Sequence, residues 1–171
     1  QELCSFTHVD FAFGKRPAVR DLSLTVERGE RIALKGENGC GKSTVLKLLT
    51  GELTAQSGIV RVPNDLRISY LPQNVSGICG TVAEYAAARG AEPSLVMAIL
   101  NKFNLRSELF SRDISEYSDG QKKKVALAVS LATPAHLYIW DEPLNFIDLV
   151  SRIQLEELLL EYRPTLLFVE H

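Results

Sequence analysis

A glycine-rich stretch that ends in a lysine and a serine has the residue types needed to bind the phosphates of a nucleotide. Positions 36–43 read Gly-Glu-Asn-Gly-Cys-Gly-Lys-Ser, which matches the spacing G-x-x-x-x-G-K-[ST]. Glycines let successive backbone N–H groups point inward as an anion-binding nest, and Lys42 adds a full positive charge. The Ser43 hydroxyl is a suitable Mg²⁺ ligand. The predicted nucleotide-binding residues of this stretch are Gly36, Glu37, Asn38, Gly39, Cys40, Gly41, Lys42, Ser43 and Thr44.

Two adjacent carboxylates follow an apolar run far downstream. Residues 136–140 read His-Leu-Tyr-Ile-Trp and lead directly into Asp141 and Glu142. A strand that ends in a carboxylate places it at the carboxyl edge of a sheet, where Asp141 can hold a Mg²⁺-bound water beside a phosphate loop. Glu142 can then polarise an attacking water as a general base. The two motifs together predict hydrolysis of a nucleoside triphosphate.

The segment Tyr117-Ser118-Asp119-Gly120-Gln121 is the third candidate, and three lysines follow it. Its Ser-Asp pair is typical of a helix N-cap. Lysines in the first turn of a helix oppose the helix dipole unless an anion lies nearby. We therefore expect Lys122, Lys123 and Lys124 to mark a helix start that meets phosphate.

The elements that must position these residues alternate between strands and helices at both ends of the chain. Around a helical middle this order predicts an α/β sheet that carries a helical insertion. Apolar periodicity and capping residues predict strands over 3–13, 22–26, 31–35, 59–62, 66–71, 136–140 and 165–169, and helices over 42–50, 82–89, 93–103, 119–132 and 149–162.

Composition excludes several classes of protein. The chain has 171 residues, a net charge of −2 and 46% hydrophobic residues, which are ordinary values for one globular domain and not for a polybasic nucleic-acid arm. No apolar run reaches the roughly 18 residues of a membrane span. Three cysteines without metal-site spacing favour a reducing, cytoplasmic compartment. Because His171 directly follows an apolar strand pattern, we expect a C-terminally truncated fragment.

In this order the motifs resemble the nucleotide-binding domain of the ATP-binding cassette (ABC) superfamily. The resemblance covers essentially the whole chain and adds three elements: Gln73 in Tyr-Leu-Pro-Gln as the Q-loop, Asp148 in Leu-Asn-Phe-Ile-Asp as the D-loop, and His171 as the switch histidine. It implies an α/β P-loop NTPase fold for residues 1–171, with a mixed sheet core, an N-terminal antiparallel β-subdomain and a helical subdomain over about 74–118.

The resemblance also implies ATP and Mg²⁺ as ligands and a role for each site residue. The catalytic group consists of Glu142, His171 and Gln73, and the metal group of Ser43, Gln73 and Asp141. Phe13 occupies the place of the adenine-stacking aromatic, with packing inside a strand as an equal alternative. The signature residues Ser118, Asp119, Gly120 and Gln121 would act on the nucleotide of a second cassette, in the same chain or a homodimer.

Three residues depart from the family pattern. Tyr117 and Asp119 stand where the family's Leu-Ser-Gly-Gly-Gln has leucine and glycine. The Asp119 carboxylate either weakens closure around ATP or turns to solvent. Cys40 within the phosphate loop is a small neutral filler or, as the lesser interpretation, a redox switch.

Longer stretches resemble one branch of the superfamily. Residues 120–125, 134–148 and 164–171 are similar to the second cassette of the ABC-F proteins that protect bacterial ribosomes from lincosamides, streptogramins and pleuromutilins. The short segment between Gln73 and Tyr117 leaves no room for the extra helical arm that many first cassettes of this family insert, which agrees with a second cassette. The resemblance implies ATP-driven ribosome binding and release in antibiotic resistance, without membrane insertion. A transporter cassette and a nucleotide-binding module without catalysis are the alternatives.

Overall fold

The computed structural model describes residues 1–35 and 41–170. Strands and helices alternate as the sequence predicts. The strands are β1 (Glu2–Phe13), β2 (Arg16–Glu27), β3 (Arg31–Lys35), β4 (Ser57–Arg61), β5 (Ile68–Leu71), β6 (Leu137–Asp141) and β7 (Leu166–Glu170). The helices are α1 (Lys42–Thr50), α2 (Val82–Ala88), α3 (Pro93–Lys102), α4 (Asp119–Ala132) and α5 (Leu149–Tyr162), with two 3₁₀ turns at Ser107–Leu109 and Ile114–Glu116.

The strands form two separate sheets. β2, β1 and β4 make an antiparallel sheet in that order, whereas β3, β7, β6 and β5 make a parallel one. Parallel pairing brings the carboxyl ends of β3, β6 and β7 to the same edge of the sheet. The phosphate-loop stretch follows β3, and Asp141 is the last residue of β6. The topology therefore brings the two chemical motifs to one edge.

The parallel sheet has a hydrophobic core on each face. Leu137 and Ile139 of β6 pack with α1 and the antiparallel sheet, whereas Trp140 packs with α4, α5 and the helices of the middle segment. This follows from the alternation of side chains along a strand buried on both faces. The indole N–H of Trp140 donates to Ser130 Oγ at 2.9 Å, which fixes α4 against the sheet.

Helix starts are fixed by the predicted capping residues. Thr81 and Glu84 form a reciprocal capping box at the start of α2, with hydrogen bonds of 3.0 and 3.2 Å. Ser118 and Gln121 form a second box at the start of α4. The two boxes fix the ends of the segment that connects the Q-loop to the signature helix.

Candidate active site

One cavity of about 230 Å³ lies at the carboxyl edge of the parallel sheet. It gathers residues from β1, α1, the Q-loop and the end of β6, which are distant in sequence. The predicted site residues that line it are Phe13, Gly41, Lys42, Ser43, Thr44, Gln73, Asp141 and Glu142. The other predicted residues at Gly36, Glu37, Asn38, Gly39, Cys40 and His171 lie outside the described residues.

The end of the phosphate loop is held against β2. Gly41 has φ +93°, and a Cβ atom there would lie 2.1 Å from the main-chain oxygen of Ala18. Only glycine fits this position, because it tolerates both the left-handed conformation and the close approach. Since α1 begins at the next residue, its positive N-terminal end is placed at the cavity. The Lys42 ammonium donates to the main-chain carbonyl of Glu170 at 2.9 Å, which links the helix start to the end of β7.

The Glu142 carboxylate is held in one orientation by two amide donors. Gln73 Nε2 donates to Glu142 Oε2 at 2.8 Å, and Asn145 Nδ2 donates to the same oxygen at 2.7 Å. The backbone N–H of Glu142 donates to the carbonyl of Val169, and its φ of +53° is unusual for a residue with a long side chain. Only 6% of Glu142 is exposed. Such a preoriented, buried carboxylate is suited to orient a water molecule.

Asn145 and Arg16 are site residues that sequence reasoning did not single out. Asn145 lies three residues after Glu142 in the stretch taken as the D-loop, and its side-chain amide donates to the Glu142 carboxylate. Arg16 begins β2 and lines the cavity beside Phe13, where its positive charge can face a phosphate. The sequence contained one signal for each residue. Asn145 is a polar residue in the D-loop stretch, and Arg16 is a basic residue after the turn between β1 and β2.

The position of Phe13 favours the stacking interpretation over strand packing. Phe13 is 53% exposed and lines the cavity, whereas Phe11 is 8% exposed and belongs to the core. The two rings meet edge to face, with centroids 5.0 Å apart and an interplanar angle of 75°. Phe11 therefore packs against Phe13, and more than half of the surface of Phe13 remains accessible to a base.

The signature residues lie outside this cavity. Ser118 and Asp119 are exposed at the start of α4, so the Asp119 carboxylate is accessible to solvent. A Cβ atom on Gly120 would lie 2.9 Å from the Phe146 carbonyl, which shows how closely α4 approaches the D-loop. Tyr117 is buried, and its hydroxyl donates to the carbonyl of Leu109. The tyrosine thus fills the core of the helical segment where the family pattern has leucine.

The sequence predicted that the three lysines after the signature mark a helix start that meets phosphate. In the structure they do not line the nucleotide cavity. Lys122 donates to the carbonyl of Ser76 at 3.0 Å, and Lys124 donates to the carbonyl of Phe103 at 2.9 Å. Lys123 is fully buried. Main-chain carbonyls of the helical segment therefore take the place of the expected anion for two of the three residues.

Comparison with known proteins decides the family. Residues 19–145 match the sequence profile of the family described as ABC transporter. The chain belongs to this family. Its cavity is thus part of an ATP-binding ABC domain in a family of ATPases, and both the predicted fold class and the ABC resemblance are confirmed.

Relatives with known names include members of the ABC-F branch. The chain is 33% identical over 170 residues to ABC transporter F family member 5 of Arabidopsis thaliana, covering 96% of this chain and 25% of the relative. It is 33% identical over 171 residues to ribosome protection protein VmlR of Bacillus subtilis strain 168, covering 96% of this chain and 30% of the relative. The chain thus spans less than a third of either relative.

Among solved structures, the fold is similar to that of a metal-chelate type ABC transporter in an inward-facing conformation. The TM-score is 0.79 at 25% identity, and the alignment covers 99% of this chain and 73% of the transporter chain. Almost every described element therefore has a counterpart in an ABC protein.

Proposed function

We propose that this chain is the ATP-binding and ATP-hydrolysing cassette of a cytoplasmic ABC-F protein that drives binding to and release from the bacterial ribosome in antibiotic resistance. The observation that carries the ATPase part is the cavity that joins Lys42 and Ser43 to the carboxylates of Asp141 and Glu142. The ribosomal part is supported by the similarity to VmlR, whose name describes a ribosome protection protein. We treat residues 1–171 as one nucleotide-binding domain, with a helical subdomain over about 74–118.

The predicted site residues have separate chemical roles in this proposal. Lys42 and the phosphate-loop amides bind the β- and γ-phosphates, and the exposed face of Phe13 stacks on adenine. Glu142 orients the attacking water, because its carboxylate is fixed by Gln73 and Asn145. His171 contacts the γ-phosphate.

The donor set of the cavity fits Mg²⁺. Ser43, Gln73 and Asp141 offer hydroxyl, amide and carboxylate oxygens, which are the ligands that this hard cation prefers, and all three line the cavity. Bound Mg²⁺ would neutralise negative charge on the β- and γ-phosphates.

A second cassette completes the site in this proposal. Ser118 and Gly120 lie at the start of α4, outside the cavity that holds Lys42. They would therefore serve the nucleotide of a paired cassette, in the same chain or in a second copy, while the partner's signature closes this cavity. The exposed start of α4 is consistent with such a role.

The ribosome assignment is tested by co-sedimentation of the complete protein with 70S ribosomes, with and without ATP. The variant Glu142→Gln keeps the shape of the side chain and removes the charge that orients water, so it should bind ATP and hold the ATP-bound state. We expect it to pellet with ribosomes only when ATP is present. The matched control is Lys42→Ala, which removes the phosphate-binding cation and should not pellet in either condition. Failure of ATP-loaded Glu142→Gln protein to pellet would contradict the ribosomal role.

A nucleotide-binding subunit or domain of a membrane transporter is the second candidate. The similarity to a metal-chelate type ABC transporter favours it. Within residues 1–35 and 41–170, no helix has the length and apolar character required to cross a membrane. A transporter cassette would be recovered with a membrane subunit or a membrane domain after detergent extraction, and not with ribosomes.

A further inference from the structure

Lys123 is a buried cation that the proposed mechanism does not use. It is 0% exposed and is among the largest fully buried side chains. Its ammonium nitrogen has no hydrogen-bond partner in the part of the chain that the structure describes. Lysine is almost never fully buried without a partner, because removing an ammonium group from water is costly. Lys122 and Lys124, its neighbours on α4, both donate to main-chain carbonyls.

The start of α4, which carries Lys123, lies against the D-loop that follows Glu142. Lys123 follows Gly120 by three positions, so both residues are on the same face of the helix. A helical side chain leans over the turn that precedes its own Cα, which here is the turn of Gly120. That turn lies against the Phe146 carbonyl, because a Cβ atom added to Gly120 would lie 2.9 Å from the carbonyl oxygen. Lys123 does not line the nucleotide cavity.

Two opposing effects act on this ammonium group. Burial lowers the pKa of Lys123, and the negative charges of Asp141 and Glu142 act in the opposite direction. Burial has the larger effect, so the surroundings lower the pKa of Lys123 although two carboxylates favour its charged form.

We propose that Lys123 is a positioning residue for ATP hydrolysis: its buried positive charge attracts the negative charge at Asp141 and Glu142 and holds the loop after β6 in its active position. This inference rests on the proposed ATPase function of the cavity. It gives α4 two roles, since the start of the helix presents the signature to a paired cassette while Lys123 acts on the carboxylates of its own cassette. The rigid helix would thus connect the two nucleotide sites of a pair.

Lys123→Met tests the proposal in the complete protein, because methionine fills a similar volume without a charge. We expect kcat for ATP hydrolysis to fall by about tenfold, since a fixed charge acting on the reacting groups is lost. KM for ATP should change by less than about twofold, because Lys123 does not line the cavity. Tm should stay the same or rise, because a desolvated charge is removed. Lys123→Gln should lower kcat in the same way if charge is the requirement.

Lys124→Met is the matched control, because it makes the same change one position along α4. It removes the donor to the Phe103 carbonyl, so we expect a lower Tm and a nearly unchanged kcat. Glu142→Gln is measured beside it to test the ATPase assignment itself. Unchanged turnover in Glu142→Gln would refute the proposed function. If Glu142→Gln loses turnover but Lys123→Met keeps the wild-type kcat, only the role of Lys123 is overturned. A fall of both kcat and Tm in Lys123→Met would also overturn that role, because it would show a structural defect.

Discussion

The hydrogen bond from Asn145 to Glu142 makes a quantitative prediction for the variant Asn145→Ala. The Glu142 carboxylate is held through one oxygen by two donors, at 2.7 Å from Asn145 and at 2.8 Å from Gln73. A hydrogen bond to a charged group contributes about 1.5–3 kcal/mol. If the contribution is needed to orient water in the transition state, its loss lowers kcat by roughly 10- to 100-fold, since about 1.4 kcal/mol corresponds to a factor of ten. Gln73 remains as the second donor, which favours the lower end of this range.

Steady-state ATP hydrolysis by the complete protein measures this effect. We expect kcat to fall and KM for ATP to stay nearly constant, because Asn145 does not line the nucleotide cavity. The matched control is Asn101→Ala on α3, where the amide oxygen accepts a 3.4 Å hydrogen bond from Ser107. Wild-type kcat in Asn145→Ala would refute the idea that this amide orients the carboxylate. A double variant with Gln73→Ala should lose more than the two single losses combined, because both of these amide donors to the same oxygen are removed.

Two further predictions concern binding and stability. Phe13→Ala should raise Kd for ATP about tenfold, because one stacked base contributes about 1–3 kcal/mol, whereas Phe11→Ala should mainly lower Tm. Isothermal titration and thermal unfolding distinguish these outcomes, and an unchanged Kd in Phe13→Ala would exclude the stacking role. The backbone N–H of Ser151 holds the pKa of Asp148 below its ordinary value, so this carboxylate stabilises the start of α5 above about pH 4. Asp148→Ala should therefore be less stable than wild type in urea at pH 7, with the difference shrinking as the pH falls through the lowered pKa; a difference independent of pH would contradict this assignment.

The helices and the chemical motifs could be predicted because their signals are local. Lys42–Thr50 is the predicted first helix. Thr81 and Asp148 cap α2 and α5 as predicted, and Pro93 is in the first turn of α3. The carboxylate at the end of β6 was likewise evident from an apolar run followed by Asp141. These features depend on residues within a few positions of each other.

Strand limits in the antiparallel sheet were less predictable. β2 covers Arg16–Glu27, although strict alternation marks only its last part. The pairing of β1 with β2 contains register shifts between Phe6 and Val9 and again around Phe11, and His8 has φ +48°. A bulge interrupts the two-residue period, so apolar positions no longer mark one continuous face.

Contacts between distant segments could not be predicted from the chain. The bond from Gln73 to Glu142 joins the end of β5 to the end of β6, and its existence depends on how the two segments pack. The same is true of Lys123, because the sequence context of three lysines predicted a helix start that meets phosphate. In the structure this side chain is instead fully buried.

Retention of nucleotide by Glu142→Gln and Lys42→Ala variants of the complete protein tests most directly whether this cavity binds and hydrolyses ATP. Each protein is incubated with ATP and Mg²⁺ and separated from free nucleotide by gel filtration, and the bound ATP and ADP are quantified. We expect Glu142→Gln to retain unhydrolysed ATP and Lys42→Ala to retain none, because the first removes the water-orienting charge and the second the phosphate-binding cation. Conversion of ATP to ADP by Glu142→Gln at the wild-type rate, or tight ATP binding by Lys42→Ala, would contradict the account.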